Sequence, residues 1–203
     1  MKALRKWLWK KPKSNGDVYR AKVLEIEDPS QIVSGRPMDR LHGLDAALAE
    51  AEGRSMLDVG CHDGTVALAF ADAGSPFIDG VDLSPAAVAE ARRKFEGRDT
   101  DAHFDTGDLS RGLDGLRPKL RRPRYGIVCY LGVHQHLYGQ MTVEEIHALE
   151  RGIMDMAEEL FVLRVPMRHM DDLNARLLDA GFAPVTGIAK KKVGPARIYR
   201  RVA

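Results

Sequence analysis

The sequence has few cysteines, no long hydrophobic run and little net charge, and each absence narrows the class of protein. Its two cysteines, Cys61 and Cys129, lie in no metal-ligand or redox spacing, so we expect both to be reduced thiols. No apolar run approaches the roughly 18 residues of a membrane helix, and the N-terminus has no apolar stretch followed by a small-residue cleavage site. We therefore expect a cytoplasmic protein without stable membrane insertion.

The charged residues nearly balance, but they are unevenly distributed. Net charge is +2 over 203 residues, and three basic groups stand out at residues 2–13, 117–124 and 190–201. Such groups are commonly solvent-exposed faces, and the same pattern attracts phosphate on RNA or on an acidic lipid surface. Both interpretations stay open. The hydrophobic content of 44% suffices for one buried core, and the length favours one domain.

The glycine turn after the first apolar run lacks the residues that define two common nucleotide sites. Residues 55–65 are Ser-Met-Leu-Asp-Val-Gly-Cys-His-Asp-Gly-Thr. A nicotinamide or flavin fingerprint that starts at Gly60 needs glycines where this chain has His62 and Thr65. A Walker-type ATP loop needs a second glycine and a lysine that are also missing. These absences count against ATP binding by that route and against a nicotinamide-dependent oxidoreductase, which remains an alternative.

Strand and helix patterns alternate after this turn, which is typical of a doubly wound parallel sheet. The predicted strands are 56–59, 77–81, 102–104, 125–131 and 160–165. Predicted helices begin near residues 65, 85, 143 and 170, with Ser84 and Thr142 as caps. The runs 183–188 and 196–202 suit an antiparallel hairpin, and 109–123 predicts a loop with at most a short helix.

Two motifs resemble those of one enzyme superfamily. The pattern Asp58-x-Gly60-x-x-x-Gly64 resembles motif I of the class I S-adenosylmethionine-dependent methyltransferases, whose usual form is Asp/Glu-x-Gly-x-Gly-x-Gly. His62 stands where that form has its middle glycine. Residues 130–136, Tyr-Leu-Gly-Val-His-Gln-His, resemble the family's motif IV in its Leu-Gly-Val-x-His-His-Leu form.

The resemblance covers roughly residues 54–203 by element order and implies the class I methyltransferase fold. That α/β fold is a doubly wound, mostly parallel seven-stranded sheet with an antiparallel C-terminal hairpin. Residues 1–53 would be an N-terminal extension, with a basic start followed by a helix. Because Leu41, Leu44 and Leu48 share one face of that helix, we expect it to pack across the cofactor or substrate mouth.

The resemblance also implies a set of residues for S-adenosylmethionine. Asp58 would help to hold the methionine amino group, while Gly60 and Gly64 permit close backbone approach and the start of the next helix offers N–H groups. Asp82 ends the second strand, where its carboxylate can accept hydrogen bonds from both ribose hydroxyls. Asp108 matches the family position that contacts the adenine amino group. The remaining predicted cofactor residues are Cys61, His62, Leu83, Leu109 and Leu131.

The histidines of the second motif are the candidate catalytic residues, because the resemblance places this loop beside the transferable methyl group. Either His134 or His136 can serve as general base, since an imidazole with an ordinary pKa near 6.5 is largely neutral at cytoplasmic pH. A structural hydrogen-bonding role is the alternative for each. A His-x-His pair can also contribute two metal ligands, but no clear further ligands accompany it, so we predict no metal site.

These observations predict an S-adenosylmethionine-dependent methyltransferase that acts on an oxygen or nitrogen of a small or medium-sized acceptor. The basic groups make an RNA methyltransferase the alternative within the same class. A non-catalytic cofactor-binding protein is an alternative from another class. The acceptor itself cannot be identified, because substrate pockets vary freely over a common fold.

Overall fold

The protein is described by a computed structural model over residues 24–25, 40–185 and 196–202. Seven strands are found in these residues: β1 (Met56–Val59), β2 (Phe77–Asp82), β3 (Asp101–Thr106), β4 (Tyr125–Leu131), β5 (Ala157–Arg164), β6 (Phe182–Pro184) and β7 (Arg197–Arg201). They form one sheet in the order β3-β2-β1-β4-β5-β7-β6. The first five strands run parallel, and β7 lies antiparallel between β5 and β6. The mostly parallel sheet with an antiparallel C-terminal hairpin is thereby confirmed.

Six helices are found in the described residues, and two of them begin at the side-chain caps that the sequence predicts. They are α1 (Asp45–Leu48), α2 (Thr65–Asp72), α3 (Pro85–Phe95), α4 (His134–Leu137), α5 (Val143–Asp155) and α6 (Met170–Asp179). The Ser84 side chain accepts the Ala87 N–H at 3.2 Å, and Thr142 with Glu145 forms the predicted capping box of α5. In the part of the chain that the structure describes, no helix is both long and apolar enough to cross a membrane.

The order of the strands in the sheet determines where the site lies. From β1 the chain winds outward through β2 and β3, and it then returns to place β4 on the other side of β1. Parallel α/β sheets bind ligands at such a switch point, outside the carboxyl ends of the strands. The turns after β1, β2 and β4 therefore meet at one edge of the sheet.

Two hydrophobic clusters cover the two faces of the sheet. Alternate residues of β1 point to opposite faces, so Leu57 belongs to the cluster under α5 and α6, and Met56 to the cluster under α2 and α3. The second cluster also contains the fully buried Leu44, with Leu41 and Leu48 packed against it. The predicted apolar face of the N-terminal segment thus packs onto the domain core.

The largest differences from the predicted elements lie at strand ends. Strand β3 extends to Asp101 and Thr106, because each of its six residues pairs with β2, including the polar residues at both ends. Strand β5 begins at Ala157, which pairs with Tyr125. The predicted loop contains two 3-10 helices, Leu109–Gly115 and Arg117–Lys119. The first basic group and the lysines of the third lie outside the described residues.

Candidate functional site

A cavity of about 240 Å³ opens at the carboxyl ends of β1, β2 and β4. It brings together most of the residues predicted from the sequence motifs. The predicted residues in its lining are Asp58, Gly60, Cys61, His62, Asp82, Leu83, Asp108, Leu109, Leu131 and His136. The structure places Gly64 and His134 outside this lining.

The turn after β1 requires left-handed backbone at three positions. Gly60 has φ +81°, and a Cβ there would lie 2.3 Å from Val133 Cγ2, so a larger residue would clash with the loop after β4. His62 has φ +47°, which explains why the family form usually has glycine at this position. Gly64 has φ +73°, and a Cβ there would lie 2.9 Å from Ala91 Cβ. Gly64 therefore allows α2 to pack against α3, in place of the predicted approach to the ligand.

Five N–H groups, from residues 60, 61, 62, 64 and 65, donate within the protein. That the start of the helix offers N–H groups to the ligand stays a prediction for the residues that follow. Gly60 and Cys61 both donate to the Val81 carbonyl of β2, at 2.7 and 3.1 Å. His62 N–H donates to Asp82 Oδ2 at 2.9 Å. Two further N–H groups, those of residues 64 and 65, donate to the Cys61 carbonyl and to an Asp63 carboxylate oxygen. Hydrogen bonds within the turn and to the end of β2 thus hold the glycine turn in place.

Asp58 is a buried carboxylate whose surroundings favour the protonated form. Its exposure is 2%, and its Oδ2 atom has no hydrogen-bond partner among the described residues. Burial, together with the nearby carboxylates of Asp82 and Asp63, raises the pKa of Asp58 to about 7, although the charge of Arg40 opposes this. An unpaired buried carboxylate in a cavity is a group that gains from a cationic ligand.

Asp82 connects the ends of two strands at the centre of the cavity. Its Oδ2 accepts the His62 N–H, and its Oδ1 accepts the Ser84 N–H at 2.9 Å. Each carboxylate oxygen has two lone pairs, so both retain a site for a ligand hydroxyl. The structure thus combines the cofactor position that we predicted with a role in holding the turn.

Asp108 begins the 3-10 helix at the far end of the cavity. Its Oδ1 accepts from Ser110 Oγ at 2.7 Å and from Ser110 N–H at 3.1 Å, as a helix-capping carboxylate does. The side chain lines the cavity together with Leu109. Its capping role and its predicted contact with adenine are compatible, because Oδ2 takes no part in the cap.

The two candidate histidines face different sides of α4. His136 lines the cavity, and burial lowers its pKa against the smaller opposing influence of Asp82, which favours a neutral imidazole. His134 is fully buried behind the helix, and its Nδ1 lies 2.6 Å from Glu150 Oε1. The structure therefore gives His134 the structural role that we kept as its alternative.

A polar cluster behind α4 holds His134 in place. Glu150 Oε1 also accepts from the Tyr130 hydroxyl at 3.0 Å, and Glu150 Oε2 lies 2.6 Å from Arg176 Nη2. The His134 ring lies 4.6 Å from the His169 ring in an edge contact. Among the described residues, no group of three or more His, Cys, Asp and Glu side chains is arranged to hold a metal ion.

Three charged residues complete the site, and motif analysis missed all three. Arg40 and Arg164 line the cavity, and Arg164 donates to the Arg40 and His42 carbonyls at 2.9 and 2.7 Å. Asp63 is fully buried, with Arg40 Nη1 at 2.6 Å and Lys94 Nζ at 2.8 Å. For Asp63 the signal was available, since an acid inside a glycine turn needs a cation when buried. The arginines lie outside the motifs.

Comparison with known proteins identifies the central part of the chain as similar to methyltransferases. Residues 56–149 match the family model described as methyltransferase domain. A stretch of 73 residues is 40% identical to the ribosomal protein L11 methyltransferase of Thiobacillus denitrificans, and it covers 36% of this chain. That stretch spans only 24% of the relative.

Solved structures show the same fold at low sequence identity. Magnesium protoporphyrin IX methyltransferase from Synechocystis PCC 6803, with bound SAM, has a TM-score of 0.67 and 20% identity, covering 95% of this chain and 100% of that one. Ribosomal protein L11 methylase from Lactobacillus delbrueckii subsp. bulgaricus has a TM-score of 0.62 and 14% identity, covering 86% and 84%. These likenesses show the class I methyltransferase fold. The family match identifies residues 56–149 as a methyltransferase domain, in agreement with the resemblance that the two motifs carry.

Proposed function

We propose that this protein transfers a methyl group from S-adenosylmethionine to an oxygen or nitrogen of a small or medium-sized acceptor. The observation that carries the proposal is a single cavity lined by three carboxylates from neighbouring strand ends, Asp58, Asp82 and Asp108. They match in order the ammonium, ribose and adenine groups of the cofactor. A nicotinamide cofactor, our alternative, finds no support in the family match.

The residues present fit the cofactor. Asp58 Oδ2 is a buried acceptor without a partner, and the methionine ammonium supplies the donor and the charge that it lacks. Asp82 retains acceptor capacity for the ribose hydroxyls, and Leu83 and Leu109 offer apolar contacts beside it. Asp108 can accept from the adenine amino group.

When bound, S-adenosylmethionine supplies an activated methyl group on its sulfonium, so the protein has to align and deprotonate the acceptor. His136 is the proposed proton acceptor, because it lines the cavity and its lowered pKa keeps the imidazole neutral at neutral pH. Gln135 Nε2 lies 3.2 Å from His136 Nε2. For His136 to accept a proton at Nε2, the acceptor has to replace the Gln135 amide there.

Isothermal titration with S-adenosylhomocysteine tests the cofactor part of the proposal. The wild-type protein is expected to bind, and Asp82→Asn to bind at least tenfold more weakly, because an amide replaces the charged acceptor of two hydroxyls. Asp171→Asn in the exposed first turn of α6 is the matched control and should bind like wild type. Absence of binding by a folded wild-type sample removes the proposal.

The structure gives less support to an RNA acceptor than the sequence does. Two members of the second basic group are paired within the protein, Lys119 with Asp105 at 3.2 Å and Arg121 with Asp79 at 2.7 Å. A small or medium-sized acceptor therefore remains our proposal.

We also keep as proposals a cytoplasmic location, supported by two free cysteines, and the division into an extension (1–53) and a methyltransferase domain (54–203).

A further inference from the structure

The amino-acid end of the proposed cofactor carries two opposite charges, and the carboxylates of the cavity provide for only one of them. Asp58 suits the ammonium group. The carboxylate on the same carbon needs a cation or a set of N–H donors close to Asp58. A partner for that carboxylate rests on the proposed use of S-adenosylmethionine.

The N–H groups that commonly bind such an anion are already occupied in this turn. Helix N-termini and glycine turns bind anions through unpaired backbone N–H groups. Here the N–H groups of residues 60, 61, 62, 64 and 65 all donate to acceptors within the protein. Because these N–H groups are occupied, the charged side chains of the cavity are the next candidates for the carboxylate's partner.

Two arginines line the cavity among the described residues, and one of them is committed elsewhere. Arg164 uses Nη1 and Nη2 to hold the carbonyls of Arg40 and His42, so its role is to fix the segment that carries Arg40. Among the described residues Arg40 bonds through Nη1, and its side chain lines the cavity, so its guanidinium can face a ligand there. The charge of Arg40 also acts on Asp58, where it opposes the rise in the pKa of that carboxyl.

The residue that replaces the family's middle glycine helps to orient Arg40. Arg40 Nη1 lies 3.0 Å from His62 Nδ1 and 2.6 Å from Asp63 Oδ1, so the guanidinium is held on two sides. With Nδ1 accepting from Arg40, the His62 ring carries its proton on Nε2. A glycine at position 62 would leave only the Asp63 contact.

We propose that Arg40 binds the α-carboxylate of the methionine end of S-adenosylmethionine, with His62 and Asp63 as positioning residues. The cavity then holds the zwitterionic end between Asp58 and Arg40, which have opposite charges. This assigns a function to the departure at His62: the imidazole orients the arginine.

Titration calorimetry with two ligands isolates the carboxylate. S-adenosylhomocysteine carries the carboxylate, and its decarboxylated analogue keeps the ammonium but lacks the carboxylate. Arg40→Met should weaken S-adenosylhomocysteine binding by about 10- to 100-fold, the range for a lost charge-assisted hydrogen bond. The same substitution should change the affinity of the decarboxylated analogue by less than about threefold, since that ligand makes no bond to lose. Lys94 still neutralises Asp63, so the variant should fold.

The outcomes separate this inference from the proposed function. If Arg40→Met weakens both ligands equally, or neither, Arg40 does not bind the carboxylate and the inference is overturned. If wild type binds neither ligand, the proposed function fails. Arg93→Met, which removes an exposed arginine paired with Glu90, is the matched control and should bind both ligands like wild type.

A second variant tests the positioning role without removing the charge. His62→Gly restores the glycine of the usual motif and suits the left-handed backbone at this position. We expect a roughly three- to tenfold loss for S-adenosylhomocysteine and little change for the decarboxylated analogue. An affinity ratio between the two ligands that equals that of wild type would show that His62 does not orient Arg40.

Discussion

Asp58 and Glu150 are equally buried carboxylates with opposite surroundings. Their exposures are 2% and 1%. Glu150 contacts His134, Tyr130 and Arg176, whereas Asp58 Oδ2 has no partner among the described residues. Burial acts to raise both pKa values. At Glu150 the hydrogen bond and charge of His134, with the charge of Arg176, outweigh burial and lower the pKa below its ordinary value.

This difference distinguishes a structural charge, whose partners lie within the protein, from a binding charge, whose partner is supplied by a ligand. At Glu150, Oε1 has the Tyr130 hydroxyl and the His134 ring as partners, and Oε2 forms an ion pair with Arg176, so this carboxylate joins α5 to β4, α4 and α6. A buried carboxylate that lacks a donor costs free energy until a ligand supplies one. Stability measurements should therefore move in opposite directions when each carboxylate is neutralised.

Glu150→Ala should have the largest effect, a loss of about 3–5 kcal/mol in the free energy of unfolding. The substitution removes the carboxylate partner of the buried His134 ring and one of the two carboxylates that pair with Arg176, and it leaves a cavity. Urea unfolding at neutral pH measures the loss. Glu144→Ala, at an exposed position in the first turn of the same helix, should stay within about 0.5 kcal/mol. A loss below about 1 kcal/mol for Glu150→Ala would contradict the structural role.

His134→Ala should cost about 2 kcal/mol, because it removes a charge-assisted hydrogen bond while Arg176 still pairs with Glu150. His134→Asn retains a donor and should recover part of the loss. Both variants are compared with wild type by urea unfolding and by titration with S-adenosylhomocysteine. Affinity should stay within threefold of wild type, since His134 lies outside the cavity lining. A selective loss of affinity at unchanged stability would place His134 in the binding site instead.

Asp58→Asn should stabilise the ligand-free protein above neutral pH. The pKa of Asp58 is raised from 3.8 to about 7, so the native state binds its proton more tightly than the unfolded chain does. Wild-type stability therefore falls as pH rises through the window between these two values. The gain of the variant should grow across that window to a few kcal/mol at most. Thermal unfolding at several pH values, without ligand, measures it.

The same substitution should weaken S-adenosylhomocysteine binding by more than tenfold, because the ammonium loses its anionic partner. A gain in stability together with a loss of affinity is the signature of a binding charge. Destabilisation of the ligand-free protein at pH 8 would contradict this interpretation of Asp58.

Local motifs were enough to predict most of the sheet and half of the residues that line the cavity. Strand β4 was predicted at both ends, and Asp58, Asp82 and Asp108 follow consecutive strands, so the parallel topology brings them together. The missing parts depend on contacts between distant segments. Arg164 binds the carbonyl of Arg40 across 124 positions, and Asp63 pairs with Lys94 across 31. No spacing rule encodes such pairs.

The sides that the two histidines face could not be predicted for a related reason. They are two positions apart on α4, a four-residue helix that the apolar pattern did not reveal. Its rotation decides which imidazole faces the cavity, and that rotation follows from the contacts behind the helix with Glu150 and His169. Those partners come from α5 and from the segment before α6.

His136→Ala should have the smallest effect on stability, below about 1 kcal/mol, since its ring faces the cavity, whereas the His134 ring is fully buried. Affinity for S-adenosylhomocysteine should stay within a few-fold of wild type. If His136 is the proton acceptor, the rate of methyl transfer should fall by about 10²–10⁴-fold with a hydroxyl or amine acceptor found by screening with radiolabelled cofactor.

The pH profile of that rate distinguishes a base from a structural contact. A base has to be neutral, and burial lowers the pKa of His136, so wild-type kcat should hold as pH falls to its ordinary value near 6.5 and decline only below it. His136→Ala should lose this decline together with most of the rate. A variant that keeps the wild-type profile at a reduced rate would assign the proton transfer to another group, and would leave His136 a contact residue on the opposite side of α4 from His134.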